Sequence, residues 1–138
     1  MTIDINQTSD LETCFALRRV VFIDEQGVPE HEEIDDLDPL SLHLLAEDAG
    51  KPVGTARVYI AEGIAKIGRV CVLQSHRGKG LGAALIRTAL EASKGKATTA
   101  KLGAQLHALG FYEALGFTAT GPVYHDAGID HRDMVLPL

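Results

Sequence analysis

Tryptophan is absent from this 138-residue chain, and aromatic residues make up only 5% of it. Cysteine is nearly absent too: Cys14 and Cys71 cannot form a disulfide framework, and they suit a reducing, cytoplasmic setting. No apolar run approaches the roughly 20 residues that span a bilayer, so no membrane partner is expected. The start, Met1-Thr2-Ile3-Asp4-Ile5, lacks the basic-then-apolar order of a signal peptide. Basic residues are in deficit: 13 Lys and Arg face 19 Asp and Glu, for a net charge of −6. A general polyanion binder needs the opposite sign, so no nucleic-acid partner is expected. Repeats, low-complexity tracts and long linkers are missing as well, which leaves a single domain over residues 1–138.

What is present reads as alternating elements. Met1–Ile5 fits a short first strand. Ser9-Asp10-Leu11-Glu12 has the form of a capping box. Leu11, Phe15, Val20 and Phe22 then keep one side of a helix apolar, with Arg18 and Arg19 placed outside and Gly27 and Pro29 ending it. From Glu30 to Asp38, six of nine residues are carboxylates, which predicts a solvated loop or a frayed helix. Leu42–Glu47, Val53–Ile60 and Ile64–Leu73 read as strands joined by two close turns, an antiparallel meander. Leu81 to Lys94 has helical spacing, Ala100–Gly103 suits a strand, and Leu106–Leu115 suits a helix capped by Gly116. Phe117–Val123 and Asp133–Leu136 complete the set. The order predicts an α/β (α+β) domain: one mixed, mostly antiparallel twisted sheet flanked by helices.

One segment carries chemistry. Arg77-Gly78-Lys79-Gly80-Leu81-Gly82-Ala83 follows an apolar strand and opens a helix. The first amides of a helix lack internal partners, and the helix dipole favours an anion beside them. Glycines let a phosphate approach the backbone, and Arg77 and Lys79 add positive charge in an otherwise acidic chain. A phosphate or pyrophosphate ligand is expected there. The pattern of a P-loop nucleoside triphosphatase is missing. Gly78-x-Gly80-x-x-Ala83 meets a loose dinucleotide fingerprint, but Thr98-Thr99-Ala100-Lys101 lacks the acidic residue that should follow about 20 positions later. A dinucleotide-binding oxidoreductase is therefore a weak rival.

The stretch Arg69-Val70-Cys71-Val72-Leu73-Gln74-Ser75-His76-Arg77-Gly78-Lys79-Gly80-Leu81-Gly82 resembles the strand-plus-loop motif of the GNAT superfamily of acyl-CoA-dependent N-acetyltransferases. Leu102-Gly103-Ala104-Gln105, then Ala108 and Phe111-Tyr112-Glu113-Ala114-Leu115-Gly116-Phe117, is similar to a second motif of that family, with Gln105 where Asn is more usual. The ends, Arg19 to Pro29, His43 and Asp126 to His131, resemble its small bacterial ElaA/YjcF-type branch.

That resemblance implies acetyl-CoA as co-substrate between two splayed strands. The backbone of Val70, Cys71 and Val72 would pair with the pantetheine arm, Arg77 to Ala83 would hold the pyrophosphate, and Gln105 would stand at the cofactor. It implies direct transfer to an amine acceptor, and family members often dimerise. A non-catalytic acyl-CoA-binding module shares the same loop. Tyr112 matches the family tyrosine, and a phenol of pKa about 10 suits protonation of a departing thiolate. The acceptor amine arrives protonated, and Glu25, Glu33, Asp35, His43 and His131 are the eligible bases, with Glu25 favoured because an apolar run precedes it. The acidic run from Glu30 to Asp38 suits either a cationic acceptor or plain solvation. Cys71 reads as a core residue rather than a nucleophile. His125, Asp126, His131 and Asp133 match no metal pattern, and no metal is expected.

Overall fold

The computed structural model describes residues 3–138, so Met1 and Thr2 of the expected first strand lie outside the described residues. The strand itself, β1, runs Ile3–Thr8. Helix α1 follows at Leu11–Arg18. Its cap is Asp10 rather than Ser9: Asp10 Oδ1 accepts from the Thr13 amide at 3.1 Å and Oδ2 from the Thr13 hydroxyl at 2.6 Å. The helix starts one residue later than the capping box requires, and a carboxylate at that point is an equally good acceptor. The helix then widens into π-type turns over Arg19–Glu25. The acidic segment holds a one-turn helix, α2 (Glu30–Glu33).

Three strands come next: β2 (Leu42–Asp48), β3 (Lys51–Ala61) and β4 (Ile64–Val72). Helix α3 (Leu81–Ser93), β5 (Thr99–Gln105), α4 (Leu109–Ala114), β6 (Thr118–Asp126) and β7 (Ile129–Pro137) complete the chain. All seven strands form one sheet in the order β1-β2-β3-β4-β5-β7-β6. Among the described residues every neighbouring pair is antiparallel except β4 and β5. The expected class and element order therefore hold.

The parallel pair is short. It joins Ile64 to Thr99, Ala65 to Ala100 and Lys66 to Lys101, and then the strands part. Two local causes are visible. Between the pairs Thr55–Cys71 and Arg57–Gly68, β4 spends one residue more than β3, a bulge, and Arg69 inside it has φ +52°. Bulges bend and twist the strand that carries them. Meanwhile β5 stays paired to β7 as far as Gln105 opposite His131, which holds it away from β4.

The larger core lies between the sheet and α3, with Leu44, Val53, Val58, Ile67, Leu85, Ile86 and Met134 all buried. Gly54 permits this close packing, because a Cβ there would sit 3.0 Å from the Cys71 carbonyl oxygen and 3.2 Å from Leu85 Cδ1. On the other face, Leu17 and Val21 cover Leu45 and Cys71.

Arg18 corrects the sequence reading. Expected outside, it is 1% exposed, and the acidic segment folds over it. Its Nε donates to Glu33 Oε1 at 2.6 Å and its Nη1 to Asp38 Oδ1 at 2.7 Å. Arg57, from the middle of β3, donates to Asp35 at 2.6 Å and to Asp38 at 3.1 Å. Arg69 donates to the Glu33 carbonyl at 3.0 Å and to Asp35 Oδ2 at 3.3 Å. Glu33 and Asp38 are buried, so half of the run expected to be solvated is an internal ion network with Asp35 at its edge. Burial opposes ionisation of Asp38, but Arg18 and Arg57 outweigh it and hold its carboxyl below the usual range.

Candidate active site

The glycine segment enters α3 as its composition predicts. A single turn at Gln74–His76 leaves β4, and Gly80, at φ +80°, caps α3 without any side-chain hydrogen bond. The leading amides of α3 are thus open to a ligand. Gly78 has φ +76°, and a Cβ on Gly78 or Gly80 would meet no protein atom within 4 Å. Beside the loop lies a hollow of about 270 Å³ lined by Val72, His76, Arg77, Gly78, Gly80 to Ala83 and Phe111. Lys79 lies on the loop but outside this lining. Arg77 is held on both sides: Nε donates to the Val72 carbonyl at 2.9 Å and Nη2 to Glu25 Oε2 at 2.7 Å. His76 Nε2 lies 2.8 Å from Asp48 Oδ2, which ties the loop to the β2–β3 turn.

Where β4 and β5 part, a cleft of about 520 Å³ opens. Its floor is Ile67 to Val70 on β4 with Leu102, Gly103 and Gln105 on β5. Arg57, Arg69, Glu32, Glu33 and Asp35 form one wall, and Tyr124, Asp126 and His131 of the β6–β7 hairpin form the other. Among the described residues, Ile67 to Val72 have no β5 partner, so this edge of β4 is free for a ligand's amides. Val70 lines the cleft and Val72 lines the hollow. Cys71 turns to the opposite face among Leu17, Val21 and Leu45, where burial pushes its thiol up to about 12. A thiol held neutral in that way is packing, not a nucleophile.

Phe111 and Tyr112 link the two spaces. Phe111 walls the hollow, Tyr112 walls the cleft, and their rings meet edge to face at 5.0 Å and 81°. Tyr112 also meets Phe117 at 6.1 Å and 79°. Burial pushes its phenol above the ordinary value, so it carries its proton at neutral pH. Gln105 lines the cleft, and its Oε1 lies 2.6 Å from His107 Nε2.

The structure disperses the five eligible bases. Glu25 ends the π-type segment bonded to Arg77 and does not line the cleft, so its geometric support as the base is lost. His43 is buried, with Nε2 donating to the Asp38 carbonyl at 2.7 Å. Glu33 and Asp35 reach the cleft but are already matched by arginines. His131 lines the cleft with Nδ1 at 2.7 Å from the Ile129 carbonyl. Sequence reasoning overlooked Arg57, whose position between Ala56 and Val58 in an apolar strand was a signal of a buried ion pair. It also overlooked Tyr124, which carries no local signal, and weighed Asp133 only as a metal ligand. Among the described residues no three potential ligands cluster as a metal site, and no helix is long and apolar enough to cross a membrane.

Residues 20–138 match the family described as the acetyltransferase (GNAT) domain. The uncharacterized N-acetyltransferase YjcF of Bacillus subtilis is 41% identical over 128 residues, covering 91% of each chain. Protein ElaA of Escherichia coli is 33% identical over 132 residues, covering 91% of this chain and 86% of that protein. The crystal structure of an acyl-CoA N-acyltransferase from Pseudomonas aeruginosa superposes with a TM-score of 0.88 at 32% identity, covering 97% of this chain and 99% of that one.

Proposed function

The chain belongs to the GNAT family of acetyltransferases, and on that premise we propose that it moves an acetyl group from acetyl-CoA directly to a primary amine of a small-molecule or peptidic acceptor. The observation that carries this reading is that the glycine-lined hollow at the start of α3 and the cleft between the parted strands are walled by neighbouring residues in ring contact, Phe111 and Tyr112.

The residues fit each part of such a donor. A diphosphate matches the open amides and glycine-lined hollow, with Arg77 pre-oriented beside it. A narrow arm of amides matches the unpaired edge of β4 over Val70 to Val72, where it would add as a strand does. Val72 spends its carbonyl on Arg77, which leaves the edge around Val70 as the main docking stretch. When bound, acetyl-CoA supplies an activated thioester, and the protein's task is to place an amine against it. Tyr112, protonated and lining the cleft, would give its proton to the departing sulfur.

The expectation of a cationic acceptor narrows. Glu33, Asp35 and Asp38 are neutralised internally and Glu30 pairs with Arg19, so Glu32 and Asp126 are the carboxylates left to face an incoming cation in the cleft.

The test is release of free CoA with a panel of amines, comparing wild type with Tyr112→Phe. The variant is expected to bind CoA normally and to lose roughly 10²- to 10⁴-fold in kcat, the usual worth of a positioned acid. Acetyl-CoA should raise the melting temperature where NAD does not. An unchanged rate removes Tyr112 from the chemistry. Tight CoA binding with no turnover on any amine marks a non-catalytic acyl-CoA-binding module instead.

A further inference from the structure

We infer that His131 takes the proton from the acceptor ammonium, held in place by Tyr124 and Asp133 as positioning residues; this rests on the acetyl-transfer reading above and deepens it. The argument begins with a hydrogen bond of one possible polarity. His131 Nδ1 lies 2.7 Å from the Ile129 carbonyl. A carbonyl only accepts, so Nδ1 carries the hydrogen, and the neutral ring presents Nε2 as a bare lone pair. The ring itself lines the cleft.

The ring is also held flat. Tyr124, its register partner on β6, stacks on it at 5.9 Å and 22°. The Tyr124 hydroxyl donates to Asp133 Oδ1 at 2.9 Å. Burial and the Asp133 carboxylate push that phenol up to about 12, so it remains a donor throughout the working range. Asp133 sits opposite Gly103 in the β5–β7 register. Any Cβ at Gly103 would collide with the Tyr124 hydroxyl, so the glycine at this point of the cleft floor is what admits the pair. Two strands and one glycine therefore fix the imidazole on the β6–β7 side of the cleft.

Tyr124 on β6 and Gln105 on β5 are the register partners of His131, and it shares the cleft with the charged Glu32, Lys66 and Asp126, with the paired Glu33, Asp35, Arg57 and Arg69, and with Tyr59 and Tyr112. Asp133 is also met by Lys101 at 3.5 Å. Of the other eligible bases, Glu25 and His43 do not line the cleft, and Glu33 and Asp35 line it as carboxylates paired with arginines.

The protons balance. One leaves the ammonium nitrogen for His131 Nε2 and passes on to solvent. The nitrogen lone pair so exposed forms the C–N bond as the C–S bond breaks. Sulfur takes a proton from Tyr112, and the second proton shed by nitrogen restores the phenol. The sum is an amide, free CoA and one proton released.

The experiment measures kcat/KM against pH for wild type, His131→Ala and Tyr124→Phe with one amine acceptor. His131→Ala is expected to lose roughly 10²- to 10⁴-fold and its acid-side decline, with added imidazole restoring part of the rate. Tyr124→Phe keeps the stack but frees the ring from Asp133, and should shift that decline while leaving the melting temperature nearly unchanged. Should His131→Ala not fold, His131→Asn offers a side chain that can still donate to Ile129 but cannot accept a proton, with the same expected loss. A His131 variant that folds, runs within about threefold of wild type and keeps the wild-type pH profile overturns the inference alone, provided Tyr112→Phe is still impaired. Wild-type protein that acetylates no amine overturns the inference together with the reading beneath it.

Discussion

Arg18 Nη1 lies 2.7 Å from Asp38 Oδ1 with both side chains inside the fold, so the first helix and the acidic segment share one internal charge pair. Removing a single partner from such a pair strands the other without water. Arg18→Met should therefore cost about 3–5 kcal/mol, read as a lowered urea midpoint. Arg19→Met, whose pair with Glu30 is exposed, should stay within about 0.5 kcal/mol of wild type. Equal effects from the two substitutions would show that the internal network does not support the fold.

The same network sets acid stability. Burial works against the Asp38 and Asp35 carboxylates, but Arg18 and Arg57 reverse the balance and lower both. A group depressed in the folded state contributes fully above its unfolded value and loses that contribution as pH falls toward its folded one. Urea midpoints should hold from neutrality to about pH 5 and drop as pH passes below the ordinary aspartate value of about 3.9. Asp38→Asn should start lower and show a shallower acid decline.

At the glycine loop, Gly80→Ala imposes a Cβ on a residue that lines the hollow at φ +80°. The conformational cost alone is about 1–2 kcal/mol. Calorimetric affinity for CoA should fall by at least about tenfold, while Gly110→Ala, whose φ is not positive and whose surroundings are open, should leave it unchanged.

His76 and Asp48 provide a subtler test. Their 2.8 Å contact ties His76, which lines the hollow, to the end of β2. Asp48→Asn or His76→Ala should weaken CoA binding about two- to tenfold, the net worth of one hydrogen bond, with kcat little changed. A fall in kcat at unchanged affinity would place this contact in the chemistry rather than in the docking of the donor.

Much of this was readable from local pattern. The glycine loop and Phe111-Tyr112 lie on contiguous stretches whose spacing reports their own backbone, and the antiparallel meander of β2, β3 and β4 followed from turns such as Ala61-Glu62-Gly63. What escaped was non-local. Arg18 reads as one more polar position on an exposed helix face, because its partners lie 15 and 20 residues away. His131 and Tyr124 meet only through hairpin register, and Gly103 looks unremarkable until the Tyr124 hydroxyl is laid across it. The parting of β4 from β5 was implied by the family resemblance alone, since its two local causes, the bulge near Arg69 and the pairing of β5 with β7, show in no periodicity.

That three-rung seam between β4 and β5 means the protein is stitched along one end and unzipped along the other. A molecule threading the slit becomes a temporary rib of the scaffold, so occupancy is converted into rigidity. Amide hydrogens along Ile67 to Val72 should exchange more slowly with the donor in place, and the two halves of the molecule should twist less against each other once it has entered.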